Sequence, residues 1–298
     1  MSGTFAAILA AHSARYPQMQ PQDYAKLAYQ AAFGPAHLLG EPDDIIGERL
    51  AGEWQAVPLD SAPPDSEPVG GGLCRFPLRA GEGTSEAVQM LTRLLRATAR
   101  SCSGTEQDLS DKLDCMAALP VPGMAAWLAD YRQRGCPVVG HSEAYRAAYR
   151  PHYRLLRYDY AYYFPLLLEV QRMSDAGASA VIAIDGCCGS GKTSLAALLQ
   201  DIFPCRVFHT DDFYLPVARR APDWQSVPAG NMDLDRLRRE VIEPARAGKT
   251  VGLRAFDCRS QSLRAVQDVP PAPLTIVEGS YALHPALAAL YDGMVFLT

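Results

Sequence analysis

Two hydrophobic periods divide this chain. From the N-terminus to about residue 172, apolar residues recur at three- and four-residue spacing, the period of amphipathic helices. The stretches "FAAILAAHSARY", "PQDYAKLAYQAAFGPAHLL" and "PDDIIGERLAGEW" predict three such helices. Pro21 stands at the first helical position of the second, and Asp43 and Asp44 place negative charge in the first turn of the third, where the helix dipole favours it. The run "VPLDSAPPDSEPVGGG" reads as a loop and "LCRFPL" as a short strand. Further helices are expected near 84–100, 105–118, 122–134, 141–150 and 159–173, and "SDAGAS" (174–179) reads as a linker.

From residue 179 the pattern changes. "AVIAIDG" is a continuous apolar run of strand length ended by glycine, as in a strand buried on both faces of a parallel sheet. A helix over 192–203, a strand "CRVFHTDD", a helix over 233–247 and strands "PLTIVEG" and "GMVFLT" follow. Strands alternating with helices imply a doubly wound parallel α/β sheet. The expected organisation is therefore a mostly α-helical domain over 1–172 and an α/β domain over 179–298, with no internal repeat.

Composition narrows the classes. The chain has 298 residues, 48% of them hydrophobic, enough for one large domain or two ordinary ones, each with its own core. A net charge of −5 leaves no broad basic face for a phosphate backbone, so nucleic acid is not an expected partner. No apolar run approaches the ~20 residues of a membrane span, and the N-terminus lacks the basic start and long apolar stretch of a secretory leader. The eight cysteines include no C-x-x-C pair and suit neither a zinc site nor a disulfide framework, so a reduced, cytoplasmic protein is expected. His37 with Glu53 lacks further ligands for a metal, and His37 is expected as a capped or core histidine.

The chemistry concentrates in "DGCCGSGKTS". Gly186, Cys187, Cys188, Gly189, Ser190, Gly191, Lys192, Thr193 and Ser194 match G-x-x-x-x-G-K-[ST] (Walker A) and lie between a buried strand and an amphipathic helix. The glycines let the backbone wrap phosphates with its N–H groups inward, and the helix beginning at Lys192 adds its positive end. Lys192 is expected on the β- and γ-phosphates and the Thr193 hydroxyl on Mg²⁺. "HTDDFYLP" ends the next strand, so one of Asp211 and Asp212 can take a proton from an attacking hydroxyl while the other positions Mg²⁺. Glu278, after the apolar "TIV", stands where a metal-directed acid of the Walker B kind would.

Taken in order, "IAIDGCCGSGKTS", "HTDDFYLP", "NMDLDRL", "GKTVGLRAFD", "TIVEGSYALHP" and "YDGMVFLT" resemble the uridine kinase and phosphoribulokinase family of P-loop kinases, over roughly 179–298. The resemblance implies a P-loop NTPase sheet using ATP and Mg²⁺. It implies Asp211 as the general base with Tyr214 lining the site, and Asp233 or Asp235 on ribose hydroxyls. Where uridine kinases carry a tyrosine and a histidine against the pyrimidine, this chain has Phe256 and Gln261, which widens the expected acceptor to another nucleoside or a non-nucleoside alcohol. The family's arginine-bearing lid and fifth strand have no counterpart before Thr298. Either the sequence is a fragment, or Arg219, Arg220, Arg259 and Arg264 substitute.

Three destinations for the phosphate stay open: the hydroxyl of a small-molecule acceptor, water in a regulatory nucleotide switch, or none in a binding protein without turnover. The helical half matches no kinase part. Its stretch "AYRAAYRPHYRLLRYDYAYY" carries Arg146, Arg150, His152, Arg154 and Arg157 among tyrosines. That suits an anion- or base-binding surface, or, as the plainer reading, a helix end packing its tyrosines with arginines in solvent. Second-substrate binding, regulation and self-association as a homodimer are the roles open to it.

Overall fold

The computed structural model describes residues 4–36, 39–60, 65–177 and 179–298, so the expectation for His37 lies outside the described residues. The chain divides into two compact units, Met1–Pro165 and Leu166–Thr298.

The first unit contains helices α1 (Phe5–Arg15), α2 (Pro21–Phe33), α3 (Asp43–Gln55), α4 (Ser85–Ser101), α5 (Glu106–Ala117), α6 (Met124–Gln133), α7 (Glu143–Tyr149) and α8 (Tyr158–Tyr162). Their starts follow local capping chemistry. Thr84 accepts a hydrogen bond from the Ala87 N–H, and Thr105 and Asp108 close a reciprocal capping box at α5. Leu9, Tyr24, Leu27, Leu113, Met116 and Tyr131 form the centre of a core shared by α1, α2, α5 and α6.

A three-stranded antiparallel sheet completes this unit, in the order β1 (Glu67–Gly70), β2 (Leu73–Pro77), β3 (Tyr153–Arg157). Of these, the sequence pattern predicts only β2. β1 comes from the end of the Pro- and Gly-rich run, and β3 from the Arg- and Tyr-rich stretch that reads as a helix end. Each is four or five residues long. Neither holds an unbroken or alternating apolar run, and their strand state comes from pairing with β2. The helix expected at 159–173 is two helices, α8 and α9 (Phe164–Asp175).

In the second unit β4 (Ala180–Gly186), α10 (Lys192–Ile202) and β5 (Cys205–His209) follow one another as expected. The helix expected over 233–247 is α11 (Leu234–Leu237) and α12 (Glu243–Arg246), joined by a π-helical turn at Arg238–Ile242. Two small antiparallel pairs go beyond the sequence pattern: β6 (Val251–Leu253) with β9 (Gln267–Val269), and β7 (Phe256–Asp257) with β8 (Ser262–Leu263). They are two or three residues each, below the length at which alternation can be read. Then come β10 (Leu274–Glu278), α13 (Pro285–Ala288) and β11 (Gly293–Leu297).

The sheet runs β11-β4-β10-β5 with every pairing parallel. Strands β4 and β10 are interior and buried almost throughout, which explains their unbroken apolar runs. Buried Arg206 on β5 is tied down by its Nε–H to Thr275 Oγ1 (2.8 Å) and its Nη1 to the Lys249 carbonyl (3.0 Å). Among the described residues, no helix is long and apolar enough to cross a membrane. All eight cysteines are free thiols.

Candidate functional site

Parallel register builds the site at the C-terminal ends of the strands. Glu278, the last residue of β10, pairs with Ile184 on β4 and with His209 on β5. Ile184 is two residues before Gly186, and His209 is two residues before Asp211. One carboxylate thus stands between the phosphate loop and the "DDFY" segment.

The loop geometry demands its glycines. Gly186 has φ +150°, and a Cβ there would lie 2.2 Å from the Leu297 carbonyl oxygen and 2.8 Å from Ser190 Oγ. Gly191 caps α10 in the left-handed region at φ +94°. Asp185 braces the start of the loop: its Oδ1 accepts from the Gly186 N–H at 2.7 Å and its Oδ2 from the Leu283 N–H at 2.9 Å. Lys192 Nζ donates to the carbonyls of Gly186 and Cys187, both at 2.9 Å, which holds the ammonium over the loop. Cys187, Cys188, Gly189, Gly191, Thr193 and Ser194 are exposed, so the cradle faces solvent.

Thr193 Oγ1 donates to Glu278 Oε1 at 3.1 Å. The same oxygen accepts from His209 Nδ1 at 2.5 Å, and Glu278 is only 4% exposed. A carboxylate only accepts, so the Nδ1 of His209 carries the proton. Asp185 and His209 do not stand out in the sequence. His209 sits beside the acids already noted, but its partnership with Glu278 depends on β5 lying next to β10.

Thr210–Phe213 form a 3₁₀ turn beyond β5. Asp211 is exposed and its Oδ1 accepts from the Tyr214 hydroxyl at 2.8 Å. Burial, then that bond to Asp211, pushes the Tyr214 phenol up to about 12. Asp212 is half-buried. Burial raises its carboxyl above the usual range, against the pull of His209, Arg264 and Arg236.

The "NMDLDRL" segment packs alongside: the Asp233 N–H donates to the Phe213 carbonyl at 2.6 Å, and Met232 bridges Tyr214. The Asp233 side chain caps α11 through the Arg236 N–H (3.1 Å) and pairs with the Arg236 guanidinium (3.5 Å). Asp235 points to solvent, pairing with Arg238 at 3.4 Å. Phe256 is buried in β7. The Gln261 amide is engaged locally, accepting from the Val217 N–H at 3.1 Å and donating to the Cys258 carbonyl at 2.7 Å. Of the four candidate lid arginines, Arg220 bonds the Leu215 carbonyl and lies over Trp224, and Arg264 pairs with Asp257 at 3.6 Å.

Magnesium fits the residues present. The Thr193 hydroxyl and Glu278 carboxylate are hard oxygen donors in mutual contact beside the cradle. Among the described residues no three His, Cys, Asp or Glu side chains converge as a protein cage. Mg²⁺ suits such a sparse set, because it keeps waters and substrate phosphates as ligands.

A glycine-bearing loop between strand and helix, with an acid from the adjoining strand of a parallel sheet, is the arrangement of a P-loop fold of the α/β class. No protein-family model matches the chain. Over 123 residues it is 26% identical to "Uridine-cytidine kinase C" of Dictyostelium discoideum, which covers 41% of this chain and 27% of that protein. The match thus spans little more than a quarter of the relative. A solved structure of a possible uridine kinase from Bacillus stearothermophilus aligns at 22% identity with a TM-score of 0.35, over 43% of this chain and 80% of that one. Part of this chain is distantly similar to uridine kinases.

Proposed function

We propose that the second unit is an ATP-dependent small-molecule kinase. It would move the γ-phosphoryl group of ATP to a hydroxyl of a nucleoside or similar alcohol. The observation that carries this reading is the Thr193–Glu278 contact beside the loop, with Asp211 two residues beyond His209 on the neighbouring strand.

In this reading the loop N–H groups and the α10 N-terminus hold the β- and γ-phosphates. Lys192 exchanges its carbonyl bonds for phosphate oxygens. Thr193 and Glu278 would hold Mg²⁺, which when bound neutralises charge on those phosphates. Asp211 accepts the acceptor's hydroxyl proton, and Tyr214 fixes which carboxylate oxygen faces it. The name of the Dictyostelium relative supports a nucleoside acceptor; Phe256 and the engaged Gln261 support widening the class.

The test is ADP release from Mg·ATP by the full chain, with and without a panel of nucleosides and small polyols. Release stimulated strongly by one acceptor supports the kinase and names its substrate class. Steady release indifferent to every acceptor overturns it in favour of a nucleotide switch.

A further inference from the structure

The first unit holds a cavity of about 360 Å³ whose walls include Arg15, Glu67, Arg75, Tyr145, Tyr149 and Tyr153. Arg75 lies in the middle of β2 and is only 2% exposed, yet it lines this space. Three of its five N–H groups are engaged: Nε and Nη2 donate to Gln30 Oε1 at 3.3 and 3.1 Å, and Nη1 to the Tyr145 hydroxyl at 3.3 Å. Its guanidinium sits over the Tyr153 ring, 4.8 Å from the centroid.

The charges around the cavity do not cancel. Arg15 pairs with Glu67 at 3.1 Å, and the Tyr16 hydroxyl also donates to Glu67, at 2.8 and 2.7 Å to its two oxygens. Arg150 is 3.8 Å from Asp60. Arg75 has no ion-pair partner among the described residues, and every bond it makes is to a neutral group. Glu67 acts on it only at longer range, so a guanidinium that stays charged is buried without a directly bonded counter-ion, which is costly.

That cation is also held in place. Ser142 donates to Asp23 from its N–H (3.0 Å) and its hydroxyl (2.6 Å), and His141 Nδ1 to Asp23 Oδ1 at 2.8 Å. Burial pushes His141 down to about 4, so its Nε2 is free to accept from the Tyr153 hydroxyl at 2.6 Å. Gln30 Nε2 donates to that same phenol oxygen at 3.1 Å, which leaves Gln30 Oε1 facing Arg75. A buried cation oriented by a hydrogen-bonded chain, with N–H groups to spare and a cavity in front of it, is built as an anion receptor.

We propose that this cavity binds a small organic anion, a carboxylate or a phosphate monoester, with its charged group on Arg75 and its body along Tyr145 and Tyr149. The volume suits a small molecule rather than a polymer. The site uses residues of the first unit alone and does not depend on the kinase reading.

Calorimetric titration of the full chain with benzoate, phenyl phosphate and neutral benzyl alcohol tests it. The expected result is binding of at least one anion and not of the alcohol, and which anion binds tells carboxylate from phosphate. Arg75→Gln should weaken binding roughly ten- to hundredfold. Ala148→Trp, at the rim and clear of Arg75, should block it as well and carries the test if the Arg75 variant does not fold. Lys192→Ala should leave it unchanged. Equal binding of benzyl alcohol, no anion binding below about 10 mM, indifference to Ala148→Trp, or loss with Lys192→Ala would each overturn the proposal.

Discussion

Thr193 and Glu278 are 85 residues apart in the chain and 3.1 Å apart in the fold, hydroxyl to carboxylate. Because His209 contacts the same Glu278 oxygen, that oxygen is held by two donors from two different elements. Glu278→Gln keeps the shape and removes the charge. Mg²⁺-dependent ADP release should fall about 10²-fold or more, while metal-free nucleotide binding persists. Unchanged turnover at every Mg²⁺ concentration would remove Glu278 from the metal site.

Asp211 and Tyr214 predict a separable effect. Asp211→Asn should lower kcat by roughly 10²–10⁴ and leave the affinity for ATP alone. Tyr214→Phe removes only an orienting bond and should cost less than about tenfold. Pre-steady-state measurement of phosphoryl transfer separates the two. A Tyr214 effect as large as that of Asp211 would contradict the division into proton acceptor and orienting partner.

Gly279 follows Glu278 at φ +135°, and a Cβ there would lie 2.1 Å from Thr210 Oγ1. Strain and clash act together in Gly279→Ala, so a loss of about 2–4 kcal/mol in unfolding free energy is expected. Denaturant titration of the full chain, followed through Trp224, reads it. A change below about 0.5 kcal/mol would mean that this edge of the sheet yields easily to an added methyl group.

The Asp23–His141 pair makes the first unit sensitive to acid. His141 titrates near 4 in the folded protein, against 6.5 when unperturbed, so the unfolded chain binds its proton first as pH falls. Stability should therefore decline from pH 6.5 towards 4, by on the order of 1–3 kcal/mol. Asp23, held below its usual carboxylate range, adds a further loss at lower pH. Unfolding midpoints read through Trp54 and Trp127 across that window should slope in the wild type and flatten in His141→Gln. Equal slopes in both would show that other groups set the acid sensitivity.

The phosphate loop is legible in the sequence because its chemistry is local. Gly186 to Thr193 lie in one loop between β4 and α10, and their spacing alone marks the Walker A pattern. The acids at the strand ends are legible for a similar reason, since an apolar run ending in Asp or Glu marks a buried strand reaching its edge. The short strands β1 and β6 to β9 are not legible, because two to four residues hold too little period to read, and β3 is not, because its "YRLLR" lies in an Arg- and Tyr-rich stretch without an apolar run. Nor is the Glu278–His209 contact, because only the placement of β10 between β4 and β5 brings residues 69 apart into register. Arg75 shows the same division. In "LCRFPL" it is one charge in a short strand; its burial against Gln30, Tyr145 and Tyr153 arises from packing over long sequence separations, which no local spacing encodes.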